Sequence, residues 1–400
     1  MAGQPVRQAT HCAPMPSTPM SAKRRACCSM GARYPPGPGV ANSRGFAGAG
    51  GYPRGMATPT VSVVIPVHNR AHLVGDAVRS ILAQWFGDFE LVVVDDGSTD
   101  ESVAVVEGFG DPRIRVVRHA RNLGIPDARN TGLDAARGRL IAWLDSDDIA
   151  RPERLGAQVD FLARNPDIAL VGSCAGKIDK DGRRKRGVRV PPLESGDIAA
   201  WLLFRSAFQQ SSVMGRAEVL KAHPYDRSFD VCEDLDVFVR LSRSHRLANL
   251  PQVLADRRVH PGQTVSQRQD RIRERKTLLY AGPLAELGMG FEAEDLRRHT
   301  LLGKTKLKGV EAPPDFLQWA DDWLQTLRAR NAESRYVPPE GMALATGWFW
   351  LLACRVAMPT LGRAAAVRAY LRSPLARGLI RGPARGWLAA SAPVLLGFRR

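Results

Sequence analysis

The apolar positions of this chain change period along its length. At 61–69, "VSVVIPVHN" is a run of β-branched apolar residues ending near Pro66, the pattern of a strand buried on both faces. In "AHLVGDAVRSILAQ" (71–84), Leu73, Val74, Ala77, Val78, Ile81 and Leu82 recur at helical spacing. The alternation then repeats. A strand is predicted in "FELVVVDDGSTD" (89–100), a short helix in "ESVAVVEGF", and a third strand in "IRVVRH" (114–119). A helix follows over 130–138, ending at Gly138 as a C′ glycine, and then a fourth strand in "RLIAWLDSDD". This order predicts an α/β fold with a doubly wound, mostly parallel sheet, whose ligands bind beyond the carboxyl ends of the strands.

The stretch 151–262 is more mixed. It offers strand-like "IALVGSCAGKID", a basic hairpin around "DKDGRRKRG", a helix in "DIAAWLLFRSA", a strand in "SSVMG" and a helix in "DLDVFVRLSR", closing with "ANLPQVLADRRVH". Residues 266–340 read as a charged helical extension and 341–400 as apolar runs broken by lone arginines, with no internal repeats. The expected organisation is a disordered, low-complexity basic segment at 1–57, a catalytic domain at 58–265, the helical extension, and the basic C-terminal region. Translation starting as late as Met56 is an alternative reading of the first segment.

Charge sharpens this division. The net charge is +17, of which seven Lys and Arg at 1–57 and nine Arg at 341–400 supply sixteen, with no acid in either stretch. The middle is close to neutral, which argues against a nucleic-acid-binding core. Basic flanks suit an anionic surface such as a membrane. "MALATGWFWLLAC" (342–354) is short of a span, so the C-terminal region reads either as interfacial on anionic lipid or as helices packed on the domain. The six cysteines show no metal-ligand spacing and read as reduced thiols of a cytoplasmic protein.

The acids gather where predicted strands end. "WLDSDD" places Asp145, Asp147 and Asp148 within four positions. On an extended chain Asp145 and Asp147 would share one side, an oxygen site for Mg²⁺ or Mn²⁺, and Asp148 the other. A helix cap is the plainer reading of the later acids. Asp95 and Asp96 end the second strand, suited to a ribose hydroxyl, a base edge or simply a turn. No Gly-x-Gly-x-x-Gly follows the first strand, which counts against a nicotinamide or flavin enzyme. Glu233 and Asp234 open an amphipathic helix, where their residue types alone suit the helix dipole.

Together, "VSVVIPVHNRAHLVGDAVRSILAQWFGDFELVVVDDGSTDES" and "NLGIPDARNTGLDAARGRLIAWLDSDDIARPERL" resemble the nucleotide-binding half of a family 2 glycosyltransferase of the GT-A fold, over roughly 60–265. The resemblance implies that Pro66 and His68 line the base of a nucleotide-diphosphate sugar, His68 standing where an aromatic often stacks. Asp96, with Asp95 beside it, would hold the nucleoside. Asp145 would lie near the ribose, and Arg129 and Asn130 would face the nucleotide sugar. Asp147 would ligate Mn²⁺ or Mg²⁺, with His260 near the metal or diphosphate. Asp234 would be the general base toward the acceptor hydroxyl, with Glu233 supporting acceptor binding, and Gln210 is a weaker acceptor-side candidate.

A positioned carboxylate activates a poor hydroxyl nucleophile, and a metal absorbs the leaving charge. The implied activity is inverting transfer to a saccharide or lipid-linked acceptor, in surface polysaccharide or glycolipid assembly. The implied place is the cytoplasm, at the inner face of the membrane if the basic ends bind there. A sugar nucleotidyltransferase and a non-catalytic scaffold of the same fold are the rival readings.

Overall fold

The computed structural model describes residues 58–263, 267–304 and 313–379. The segment 1–57 and the last arginines of the C-terminal region lie outside them, as do Cys12, Cys27 and Cys28. Cys174, Cys232 and Cys354 are free.

Among the described residues nine strands form one sheet. The first half holds β1 (Val61–Val67), β2 (Phe89–Asp95), β3 (Ile114–Arg118) and β4 (Leu140–Trp143), all parallel, in the order β3-β2-β1-β4. The helices α1 (Ala71–Leu82), α2 (Ser102–Glu107) and α3 (Ile125–Ala135) connect them. β1 is buried on both faces, as its unbroken apolar run requires. Val61, Val63, Ile65 and Val67 pack with α1 and with α4 (Arg154–Arg164), while Val64, Val92 and Val94 pack with α3 on the other side. Helices on both faces make the fold doubly wound, as the periodicity implies.

Ser62 is the polar exception in β1. Its hydroxyl donates to Glu90 at 2.6 Å and accepts from the Gly138 amide at 2.7 Å. A Cβ on Gly138 would come within 2.6 Å of the Ser62 nitrogen, so this glycine permits a close backbone approach to β1. The expectation that it ends a helix as C′ is corrected: α3 spans 125–135 and its C-cap is Ala136. The helix begins earlier than the apolar pattern suggested because Pro126 suits its first turn.

The second half is mixed, in the order β4-β8-β6-β9-β5 with β7 beside β6. It contains β5 (Ile149–Ala150), β6 (Ile168–Ile178), β7 (Arg184–Arg189), α5 (Ser195–Leu202), β8 (Met214–Arg216), α6 (Ala217–Ala222), α7 (Glu233–Ser244) and β9 (Arg246–Arg258). The long strands β6 and β9 run parallel to each other, and β8 joins the halves by pairing antiparallel with β4 and β6.

Helices α8 (Gln269–Glu286), α9 (Ala293–Leu302), α10 (Phe316–Ser334), α11 (Pro339–Leu361) and α12 (Arg363–Arg372) follow. α11 crosses the 340/341 boundary expected from composition. It is long and apolar enough to cross a membrane, yet 72% of its most apolar window is buried within the protein. Phe349 stacks on Phe204 with ring centroids 4.2 Å apart, and Trp201 packs on both Trp348 and Phe349. Of the two readings of 341–400, the described residues of α11 follow the one that packs helices on the domain.

Candidate active site

A cleft of about 790 Å³ opens at the carboxyl ends of β1, β2 and β4. Pro66, His68, Asp96, Arg129, Asp145 and Asp147 line it, and Glu233 and Asp234 enter it from the start of α7. The wall around Asp96 is built from the chain. Gly97 takes a positive φ of 69°, and a Cβ there would meet the backbone of Arg121 and Asn122. The 119–124 loop can therefore close over Asp96. Asp96 accepts hydrogen bonds from His119 Nδ1 at 2.7 Å and from the amides of Leu123 and Gly124 at 2.8 and 2.9 Å. His68 is anchored to the same wall: Nδ1 donates to the Asp96 carbonyl at 2.9 Å, and Nε2 accepts from the Asn69 amide nitrogen at 3.3 Å.

The "WLDSDD" acids do not divide as period two predicts. β4 stops at Trp143, and the Asp148 amide donates back to the Asp145 carbonyl at 3.1 Å, so the acids occupy a turn. Alternation holds only on extended chain. Asp145 and Asp148 therefore converge on one hydroxyl, that of Ser211, while Asp147 is turned away. Asp148 is buried and also accepts from the Arg258 amide at 2.8 Å. Burial, with Asp147 and Asp145 adding to it, pushes its carboxyl well above the usual range. A neutral Asp148 can donate to Ser211, which can then donate to Asp145. One proton thus relieves the crowding.

Asp145 also accepts from Arg129 Nη2 at 3.0 Å, and Arg129 Nε donates to Glu233 at 3.1 Å. The guanidinium lies against Trp143 and Tyr225, 5.4 and 5.6 Å from their ring centroids. Burial works against its charge, but Asp145 and Glu233 outweigh that and hold it above its ordinary value. Burial pushes Glu233 up to about 7, with the Arg129 charge opposing and Asp234 assisting. Arg129 Nη1 and Gln210 Oε1 are buried at this cleft without a partner among the described residues. They are the polar atoms a ligand would satisfy.

Asp147 accepts from His260 Nε2 at 2.9 Å, both side chains being mostly buried. Oxygen and imidazole nitrogen in contact are a donor set compatible with Mn²⁺ or Mg²⁺, the latter commonly held by one or two protein groups plus phosphate oxygens and water. Among the described residues no group of three or more His, Cys, Asp or Glu forms a metal cage.

Two expected residues are not brought into the cleft. Asp95 turns into its own loop and accepts from the Ser98 amide at 3.2 Å. Asn130 clasps the Tyr225 backbone, donating to its carbonyl and accepting from its amide, both at 2.8 Å. Neighbours on a helix point about 100° apart, and here Arg129 lines the cleft while Asn130 does not. Ser211 and Arg258 went unrecognised. Both lie inside stretches read in the sequence, "SSVMG" and "ANLPQVLADRRVH", but a lone Ser or Arg carries no spacing signal. Arg154, fully buried and donating to the carbonyls of Trp143 and Val213, gave none either.

Residues 62–222 match the model of the family described as Glycosyl transferase family 2. An uncharacterized glycosyltransferase of Haemophilus influenzae is 31% identical over 219 residues, 52% of this chain and 68% of that protein. The succinoglycan biosynthesis protein ExoO of Rhizobium meliloti is 46% identical over 161 residues, 40% of this chain and 44% of that protein. The solved structure of S. aureus TarS 1-349 in complex with UDP-GlcNAc has a TM-score of 0.49 and 20% identity, covering 78% of this chain and 89% of that one. With its acids gathered at the strand ends of a doubly wound sheet and its sequence matched to the family model and to the Haemophilus influenzae protein, the chain belongs to glycosyltransferase family 2 and has the GT-A fold.

Proposed function

We propose that the protein transfers a glycosyl group, with inversion, from a nucleotide-diphosphate sugar to a hydroxyl of a saccharide or lipid-linked acceptor, with Mn²⁺ or Mg²⁺ at the diphosphate. One observation carries the reading. Asp234 enters the same cleft as the nucleotide-side residues and makes no ion pair among the described residues, whereas Glu233 is committed to Arg129. A carboxylate held in the cleft by the Leu235 amide, with no ion-pair partner among the described residues, is suited to act as a general base.

The wall of Pro66, His68 and Asp96 would receive the nucleoside, and Asp145 with Arg129 the ribose and donor sugar. Asp147 and His260 would hold the metal, which when bound offsets charge on the departing diphosphate. Asp234 takes the acceptor hydroxyl proton as that oxygen bonds to the anomeric carbon. The bond from that carbon to the diphosphate oxygen breaks, and the diphosphate leaves with the electron pair. Attack opposite the leaving group inverts the anomeric centre without a second carboxylate nucleophile. The likeness to ExoO supports a place in polysaccharide assembly.

The test is Asp234→Asn, with transfer and nucleotide binding measured on the same preparation. Transfer should fall by about 10³-fold or more while nucleotide binding persists, since one positioned base contributes about 10²–10⁴. Turnover near that of the parent protein would remove Asp234 from the base role.

A further inference from the structure

We infer that the cleft contains a second anion site, beside Asp234 and separate from the diphosphate site, in which Arg189, Arg205, Arg257 and Lys276 receive a phosphate group carried by the acceptor. This rests on the reading of Asp234 as the acceptor-side base.

The four cations come from four elements: the end of β7, the loop after α5, β9, and α8. All line the cleft that Asp234 enters, and none is fully exposed. None forms an ion pair among the described residues, in a protein whose arginines are otherwise widely matched with acids. Among the described residues Arg189 donates to neutral groups, the Ser206 carbonyl and Gln209, and Arg257 to Gln263 at 3.3 Å.

The nearby acids are mostly spoken for. Asp230 is held by Arg271 and Arg275, and Glu233 by Arg129. Among the described residues Asp234 lines the same cleft without an ion pair, and its charge favours the charged forms of Arg189 and Lys276. The group also feels its own repulsion. Burial lowers Arg189 to about 9, with Arg205 and Arg257 adding to it, and burial also lowers Arg205 and Lys276. Clustered, half-buried cations lacking counter-charges form an incomplete site, and a phosphate supplies oxygens to several at once. Its place beside Asp234, with the donor-side acids tied to Arg129, Ser211 and His260, puts the phosphate on the acceptor.

The phosphate has two possible sources, a phosphodiester within a saccharide or the headgroup of a lipid-linked acceptor. The test holds the full-length protein at saturating UDP or GDP with Mn²⁺ and follows its melting temperature. One arm adds glycerol phosphate, with glycerol as the neutral control. The other adds vesicles of phosphatidylcholine with and without phosphatidic acid. A further rise of several degrees with glycerol phosphate supports the soluble source, and one with phosphatidic acid vesicles alone supports the lipid source.

Either rise should be lost in Arg205→Gln and in Lys276→Gln, whose side chains make no hydrogen bond among the described residues, while the nucleotide shift remains. No rise in either arm, a rise that nucleotide competes away, or a rise that survives both variants would overturn the inference. Loss of the nucleotide shift in the parent protein would instead remove the underlying transferase reading.

Discussion

The two sides of the cleft treat charge differently. On the proposed donor side nearly every acid is already answered. Asp96 has His119 and two amides, Asp145 has Arg129 and Ser211, Asp148 has Ser211 and the Arg258 amide, and Asp147 has His260. On the proposed acceptor side, among the described residues, Arg189, Arg205, Arg257 and Lys276 line the cleft without an ion pair, as does Asp234. The first arrangement fixes side chains before any ligand arrives, and the second leaves work for the ligand. Preorganised groups aimed at developing charge are the larger source of catalysis. An acceptor must also be exchanged and selected, which suits a site that its ligand completes.

Four substitutions probe this contrast. Arg129→Ala should have the largest effect. It leaves Glu233 buried without its counter-charge, a loss of about 3–5 kcal/mol in chemical unfolding at pH 8. The loss should shrink below pH 7 as Glu233 takes up a proton. An equal loss at pH 5 and pH 8 would show that packing on Trp143 and Tyr225, not charge, dominates.

Next is the pH dependence carried by Glu233. Its folded value, about 7, lies above the ordinary 4.5, so the native state binds more protons between these values. Its contribution is full below about 4.5 and is lost as pH rises through about 7. Against Glu233→Gln, the parent protein should therefore lose on the order of 1–3 kcal/mol across that window. A parallel pair of stability curves would contradict the assignment.

Ser211→Ala should cost about 1–2 kcal/mol, because Asp145 and Asp148 lose their shared hydroxyl. The smallest effect is of opposite sign. Arg205→Gln should stabilise the ligand-free protein by about 0.5 kcal/mol, the scale of a like-charge neighbour near water. Any clear destabilisation would mean that Arg205 is structural.

The sequence made the parallel half legible for a simple reason: strands buried on both faces spell continuous apolar runs, and β1 and β2 do so. The acids at strand ends were legible as a group, but their pairing was not. It depends on the turn from Asp145 to Asp148, which period two cannot reveal. Asn130 was misplaced because proximity in sequence on a helix is not proximity in direction. The group at Arg189, Arg205, Arg257 and Lys276 was invisible, since its members lie up to 87 positions apart and share no motif. "DGRRKRG" came close: its hairpin residues are exposed, as a solvated hairpin requires, but Arg189 just beyond it turns into the cleft.

The most direct measurement is calorimetric titration of UDP and GDP, with and without Mn²⁺, into the parent protein, Asp147→Asn and Asp234→Asn. One nucleotide should bind more tightly with Mn²⁺, Asp147→Asn should lose this tightening, and Asp234→Asn should keep it. Equal loss in both variants would contradict the division of the cleft into a donor side that binds and an acceptor side that reacts.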